Sequence, residues 1–207
     1  MLQRLGAMSG LVSGGLLIFS AVMFSGSGSY PEDSDSEVLG QLQAVEGDAA
    51  TAAWLAMVAI PFLVAFGGYV ADRFRRSGAT SWVAATFFGG AVMLGVASMI
   101  IAAVGQMAST LGGVPGAEGI ARFIVVFEWN STVLFLPAIL AMGASAVIAT
   151  WHADALPRTL GYGAVLVTIS GLAHWMGIFI LVVWIIVAGV VLAFDASPAD
   201  ERSMVDV

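Results

Sequence analysis

The sequence predicts an all-α fold: a polytopic transmembrane helical bundle of six spans, with five as the alternative and no soluble domain. Three observations lead there. Of 207 residues, 59% are hydrophobic and 10% are charged, against about 45–50% and about 25% in soluble domains. The apolar residues are gathered into runs, with the charges between them, and each run approaches the roughly 20 residues that a helix needs to cross the hydrocarbon. The arginines are placed asymmetrically between those runs, as cytoplasmic loops require.

The first span is residues 5–24. It follows Arg4, but it is long for a signal sequence and no A-x-A cleavage site succeeds it, so it reads as a retained helix. Gly6, Gly10 and Gly14 repeat at four-residue spacing along it. Such a small-residue stripe lets a second helix approach its backbone, although membrane helices are glycine-rich in general. Residues 25–48 form an extracytoplasmic acidic loop with six carboxylates and no basic residue. Pro31 stops helix continuation, and Ser36 is a candidate cap for a short surface helix.

The second span, 51–70, contains Pro61, which frees a carbonyl and favours a kink. It ends in the cluster Asp72, Arg73, Arg75 and Arg76. The third span is 82–105. A loop with Gly112, Gly113, Pro115 and Gly116 follows, then Glu118 and Arg122, four apart and able to pair on a helix face. The fourth span, 127–150, runs through Pro137 into the polar connection around Trp151, His152, Asp154 and Arg158. The closing apolar run is 35 residues, about 52 Å as one helix, against about 30 Å of hydrocarbon. It therefore divides into spans 159–172 and 177–194, with a turn near His174. Residues 195–207 are a polar tail.

In this arrangement six of the seven arginines share one side, and only Arg122 lies opposite. The positive-inside rule then puts both termini in the cytoplasm and the chain in a cell (inner) membrane.

Composition excludes several chemistries. All seven basic residues are arginine, so neither a retinal Schiff base nor a Walker A phosphate loop can form. With no cysteine, thiol nucleophiles, disulfides and thiolate metal sites are excluded. A basic nucleic-acid footprint is missing. The two histidines fall at opposite faces, which opposes a bis-histidine haem. The sequence implies no cofactor and no metal.

Ionisable groups inside a membrane are expensive and mark functional sites. Only Glu128 and His174 interrupt the apolar runs, and helix rise puts both in the outer leaflet. Ser131 and Thr132 share the face of Glu128, and Trp129, Asn130 and Trp175 are near in sequence. Together they form a candidate ligand site able to bind a cation, relay a proton or hold a lipid headgroup. Interfacial anchoring accounts for the same residue types. Asn130-Ser131-Thr132 also matches a glycosylation sequon, abutting a span.

Two resemblances follow. Gly68, Asp72, Arg73, Arg75 and Arg76 resemble the loop between helices two and three of major-facilitator transporters, without the glycine before its basic pair. That likeness implies a charge latch between moving helices; a positive-inside anchor explains the same residues. More widely, three features resemble a family of uncharacterised six-helix membrane proteins common in actinobacteria. They are a glycine-rich first helix followed by the acidic stretch around Ser36–Leu39, the turn Ala71–Arg76, and the stretch Val183–Gly189. The likeness implies a bacterial six-helix bundle and carries over no functional residue.

The function expected is therefore a non-enzymatic bundle that binds lipid or a partner membrane protein. The alternative is a small transporter or channel, oligomeric in form. An intramembrane enzyme ranks third, with Glu128 and His174 as its acid–base pair. The partners expected are the bilayer, further copies of the chain or another membrane protein.

Overall fold

The computed structural model describes residues 2–24, 31–111, 114–171 and 175–195. Every element among them is helical: α1 (Leu2–Phe24), α2 (Asp35–Ala44), α3 (Glu46–Arg76), α4 (Ser81–Ala108), α5 (Glu118–Asn130), a 3-10 turn (Ser131–Phe135), α6 (Leu136–Ala153), α7 (Arg158–Ser170) and α8 (Trp175–Asp195).

Six of these helices close a ring in the order α1, α3, α4, α6, α7, α8 and back to α1. Glycine occurs at each of its six interfaces. Gly10 of α1 faces the Phe66 ring of α3, Gly67 faces Ala91, Gly90 faces Met142, Gly143 faces Thr168, Gly163 faces Trp184, and Gly189 faces the backbone of α1. Between apolar helices in lipid, attraction rests on van der Waals contact, and small residues allow the closest contact. The glycine stripe of α1 divides between two neighbours: Gly6 and Gly10 meet Tyr69 and Phe66 of α3, while Gly14 meets Ile186 of α8.

Large apolar side chains point outward. Trp54, Trp82, Phe19, Leu166 and Phe179 are all exposed, and much of the buried surface is alanine. A water-soluble monomer rarely tolerates so much exposed apolar area. Five helical segments are long and apolar enough to cross a membrane: Leu2–Met23, Glu46–Arg76, Ser81–Ala108, Glu118–Ala153 and Met176–Asp195. α7, which falls in the fifth of the six predicted spans, has 13 residues. That is about 20 Å of helix, short of the hydrocarbon thickness by itself.

The closing run 160–194 is folded back on itself. Trp184 donates from Nε1 to the Leu160 carbonyl at 2.9 Å, and Gly177 lies against Gly171 and the Ser170 carbonyl. Arg73 ties the open end of this hairpin to α3. It donates to the Ala155 carbonyl at 2.7 Å and pairs with Asp195 at 2.6 Å. The start of α1, the end of α3 and the end of α8 thus share one end of the bundle, the arginine end. The opposite, acidic end carries α2.

The short surface helix expected within residues 25–48 is α2. Three expectations change here. α3 begins at Glu46, before the predicted Thr51. The cap of α2 is Ser34 rather than Ser36. Its hydroxyl accepts from the Glu37 amide, and Glu37 accepts in return from the Ser34 hydroxyl and amide, a capping box. Those two bonds hold the Glu37 carboxyl below its ordinary pKa. Arg122 does not turn to Glu118; it pairs with Asp35 at 2.6 Å and donates to the Pro31 and Asp33 carbonyls. The chain wraps around a guanidinium there because the fork satisfies several oxygens at once. Beneath it, Val38 and Leu42 of α2 join Ala121, Ile124 and Val125 of α5 in a small core.

Candidate functional site

The interior of the ring is filled unevenly. Towards the arginine end, Phe66, Phe74, Phe87, Met142 and Trp184 occupy it. Phe74 meets Phe87 edge-on at 5.2 Å between centroids, a favourable aromatic geometry. Towards the acidic end the inward positions are small: Ala52, Ala53, Ala56, Ser98, Ala102 and Gly105. A cavity of about 520 Å³ remains there, within the roughly 300–1,000 Å³ range of ligand pockets. The rest of its wall is Leu17, Ile18, Ser20, Ala21 and Val22 of α1; Leu94 and Ile101 of α4; Glu128 of α5; Ser131, Thr132 and Phe135 of the 3-10 turn; and Ile178, Phe179 and Val182 of α8.

Its exposed wall residues are Ala21 and Val22 on α1 and Phe179 on α8. α1 and α8 touch closely where Gly189 meets Ala7, Gly10 and Leu11.

Among the described residues Glu128 is the one ionisable residue in that wall. It is half-buried, and among the described residues no side chain or backbone group pairs with its carboxylate. Two of the wall hydroxyls are engaged elsewhere. Ser131 donates to the Glu128 carbonyl at 2.7 Å, and Ser20 donates to the Ala52 carbonyl at 2.8 Å. The 3-10 turn brings Ser131, Thr132 and Phe135 inward and gives way to α6 at Leu136, so Pro137 stands in the first turn of α6. There its missing N–H costs nothing, and the helical run is interrupted just before it, as a helix-breaking proline implies.

Of the residues singled out from sequence, Glu128, Ser131 and Thr132 meet in the cavity wall. Trp129 and Asn130 do not: Trp129 is 48% exposed, and Asn130 is exposed and donates to the Val126 carbonyl at 2.7 Å. A helix turns about 100° per residue, so the two residues following an inward Glu128 face out. His174 and the side chain of Trp175 lie outside the described residues. In the arginine-end cluster, Asp72 pairs with Arg76 at 2.7 Å, Arg73 forms the tie described above, and Arg75 is exposed. Among the described residues no three metal-binding side chains come together.

The wall residues of α1, α3, α4 and α8 were not anticipated. Sequence offered one signal for them, a change along α3 from alanine at 52, 53 and 56 to phenylalanine at 66 and 74 on the buried face.

The fold and cavity define a helical bundle whose apolar helices are compatible with a multi-pass membrane protein. No protein-family model, curated protein or solved structure matches the chain.

Proposed function

We propose that the chain is a multi-pass protein of the bacterial inner membrane. In this reading it is a non-enzymatic bundle that holds a lipid-like molecule in the cavity between α1, α3, α4, α5 and α8. The observation that carries it is a cavity with almost wholly apolar walls inside a bundle that exposes large apolar side chains. Such a cavity is filled most readily by a molecule already in the bilayer. The hydroxyls engaged with backbone carbonyls support holding over chemistry. The six-helix actinobacterial likeness belongs to the same proposal and rests on the sequence motifs alone.

The test is lipid retention. Purified protein should carry one bound amphiphile through detergent exchange, visible by native mass spectrometry. Ala102→Phe, which fills the cavity, should lose it while keeping the elution volume. An empty wild-type protein, or equal retention by the filled variant, would remove the reading.

In the proposed topology the arginine end is cytoplasmic and α7 is the short arm of the last of three hairpins, giving six spans. The arginine bias supports it, as does the tie from Arg73 to both Ala155 and Asp195. Single cysteines at Ser36 and Thr110 should label with an impermeant maleimide on intact cells, and those at Ser77 and Thr159 should not. The reverse pattern would invert the topology.

A second reading, a small transporter, is favoured by the break at Ser131–Phe135. Interrupted helices beside a midplane site are a transporter device, and this break borders the cavity.

A further inference from the structure

We infer that the amphiphile held in the cavity carries a protonated amine head, with Glu128 as its counter-ion and its tail directed towards the exposed wall residues Val22 and Phe179. This deepens the lipid-holding reading and rests on it. An ionised carboxylate facing apolar walls is costly unless it is paired, and no group among the described residues supplies the pair. Two of the wall hydroxyls, Ser131 and Ser20, are turned to backbone carbonyls. A cationic donor brought by the ligand would supply the missing complement, and a charge-assisted N–H···O⁻ bond is the strongest that one carboxylate can make with such a head.

The rest of the wall sets the ligand's shape. Leu17, Val22, Ile178, Phe179 and Val182 line the cavity with Glu128, so the part beyond the head must be apolar. Among the described residues no guanidinium or imidazole appears in that wall, so none of them offers an anionic head a partner. A carboxylate or phosphate head would add a like charge beside Glu128. An alcohol head could accept or donate one hydrogen bond but would not neutralise the charge.

Dodecylamine, dodecanol and dodecanoate, with a common tail and three heads, separate these cases. Each is titrated into the full-length protein in nanodiscs of zwitterionic lipid, and the thermal unfolding midpoint is followed, since a ligand of the folded state raises it. Dodecylamine should raise the midpoint at roughly tenfold or more lower concentration than dodecanol; dodecanoate should be weakest. Glu128→Gln should bring amine and alcohol level. Glu118→Gln, an exposed carboxylate at the start of α5, should keep the preference and thereby exclude general attraction to an acidic protein.

Equal shifts by all three probes in the wild type would overturn the amine inference and leave the lipid-holding reading standing. Retention of amine preference in Glu128→Gln would do the same. No shift by any probe, together with an empty purified protein, would overturn both. The wild-type series needs no variant, and Glu128→Asp supplies a second substitution should the glutamine variant fail to fold. Its shorter reach should weaken, without abolishing, the preference for amine.

Discussion

Gly189→Ala is expected to lower the thermal midpoint in detergent, although alanine is the better helix former. A methyl at position 189 would stand 2.7 Å from the Leu11 amide nitrogen and 2.9 Å from the Ala7 carbonyl oxygen. Both are backbone atoms of α1, so neither can swing aside as a flexible side chain would. Relief requires α1 and α8 to separate along their seam. Overpacking of this kind costs about 1–3 kcal/mol, which outweighs the roughly 0.5–1 kcal/mol that alanine gains over glycine in a helix. Gly189→Leu should give little folded protein. Gly15→Ala is the control: nothing lies within 4 Å of a methyl there, so the propensity gain should dominate and the midpoint should hold or rise. Equal behaviour of the two alanine variants would mean that α1 and α8 are not in contact at Gly189.

Arg73→Ala should have the second largest effect, and it should exceed every other substitution in the Asp72–Arg76 cluster. Its guanidinium joins three parts of the chain: the end of α3, the Ala155 carbonyl between α6 and α7, and Asp195 at the end of α8. Hydrogen bonds from a charged group contribute about 1.5–3 kcal/mol each when well buried. Arg73 is partly solvated and Asp195 more so, so screening brings the whole down to about 1–2 kcal/mol. Arg73→Lys should recover only part of it, because one ammonium lacks the planar fork that reaches both oxygens. Arg76→Ala removes an exposed pair within one helix, worth about 0.3–0.5 kcal/mol. Thermal unfolding of the three variants side by side decides the matter. An Arg76→Ala loss as large as that of Arg73→Ala would show that the tie does not hold the hairpin.

The arginine cluster shows how far the sequence could be read here. Its position after a helix end was legible from charge pattern. The unequal roles were not, because Ala155 and Asp195 lie 82 and 122 residues away along the chain. Arg122 repeats the lesson. Its spacing to Glu118 suggested a local pair, whereas a guanidinium that can gather Asp35 and the Pro31 and Asp33 carbonyls together does better with the distant partner. Likewise, Glu128 stood out as a carboxylate inside an apolar run. Its neighbours Trp129 and Asn130 stood out only through adjacency, and helix rotation carries them to the outside.

The sequence by itself determined the helical class, the apolar runs and the glycine spacing of α1. Each follows from local physics: the length of a run is compared with the bilayer, and a four-residue period marks one face of a helix. Only the tertiary structure decided which helices close the ring, that α2 docks under Arg122, and that the half of the ring lined by small residues is left open as a cavity. Those outcomes depend on which side chains from separate helices meet. Ala52, Ser98, Glu128 and Val182 share one wall only after five helices have packed, and no spacing within a single segment encodes that meeting.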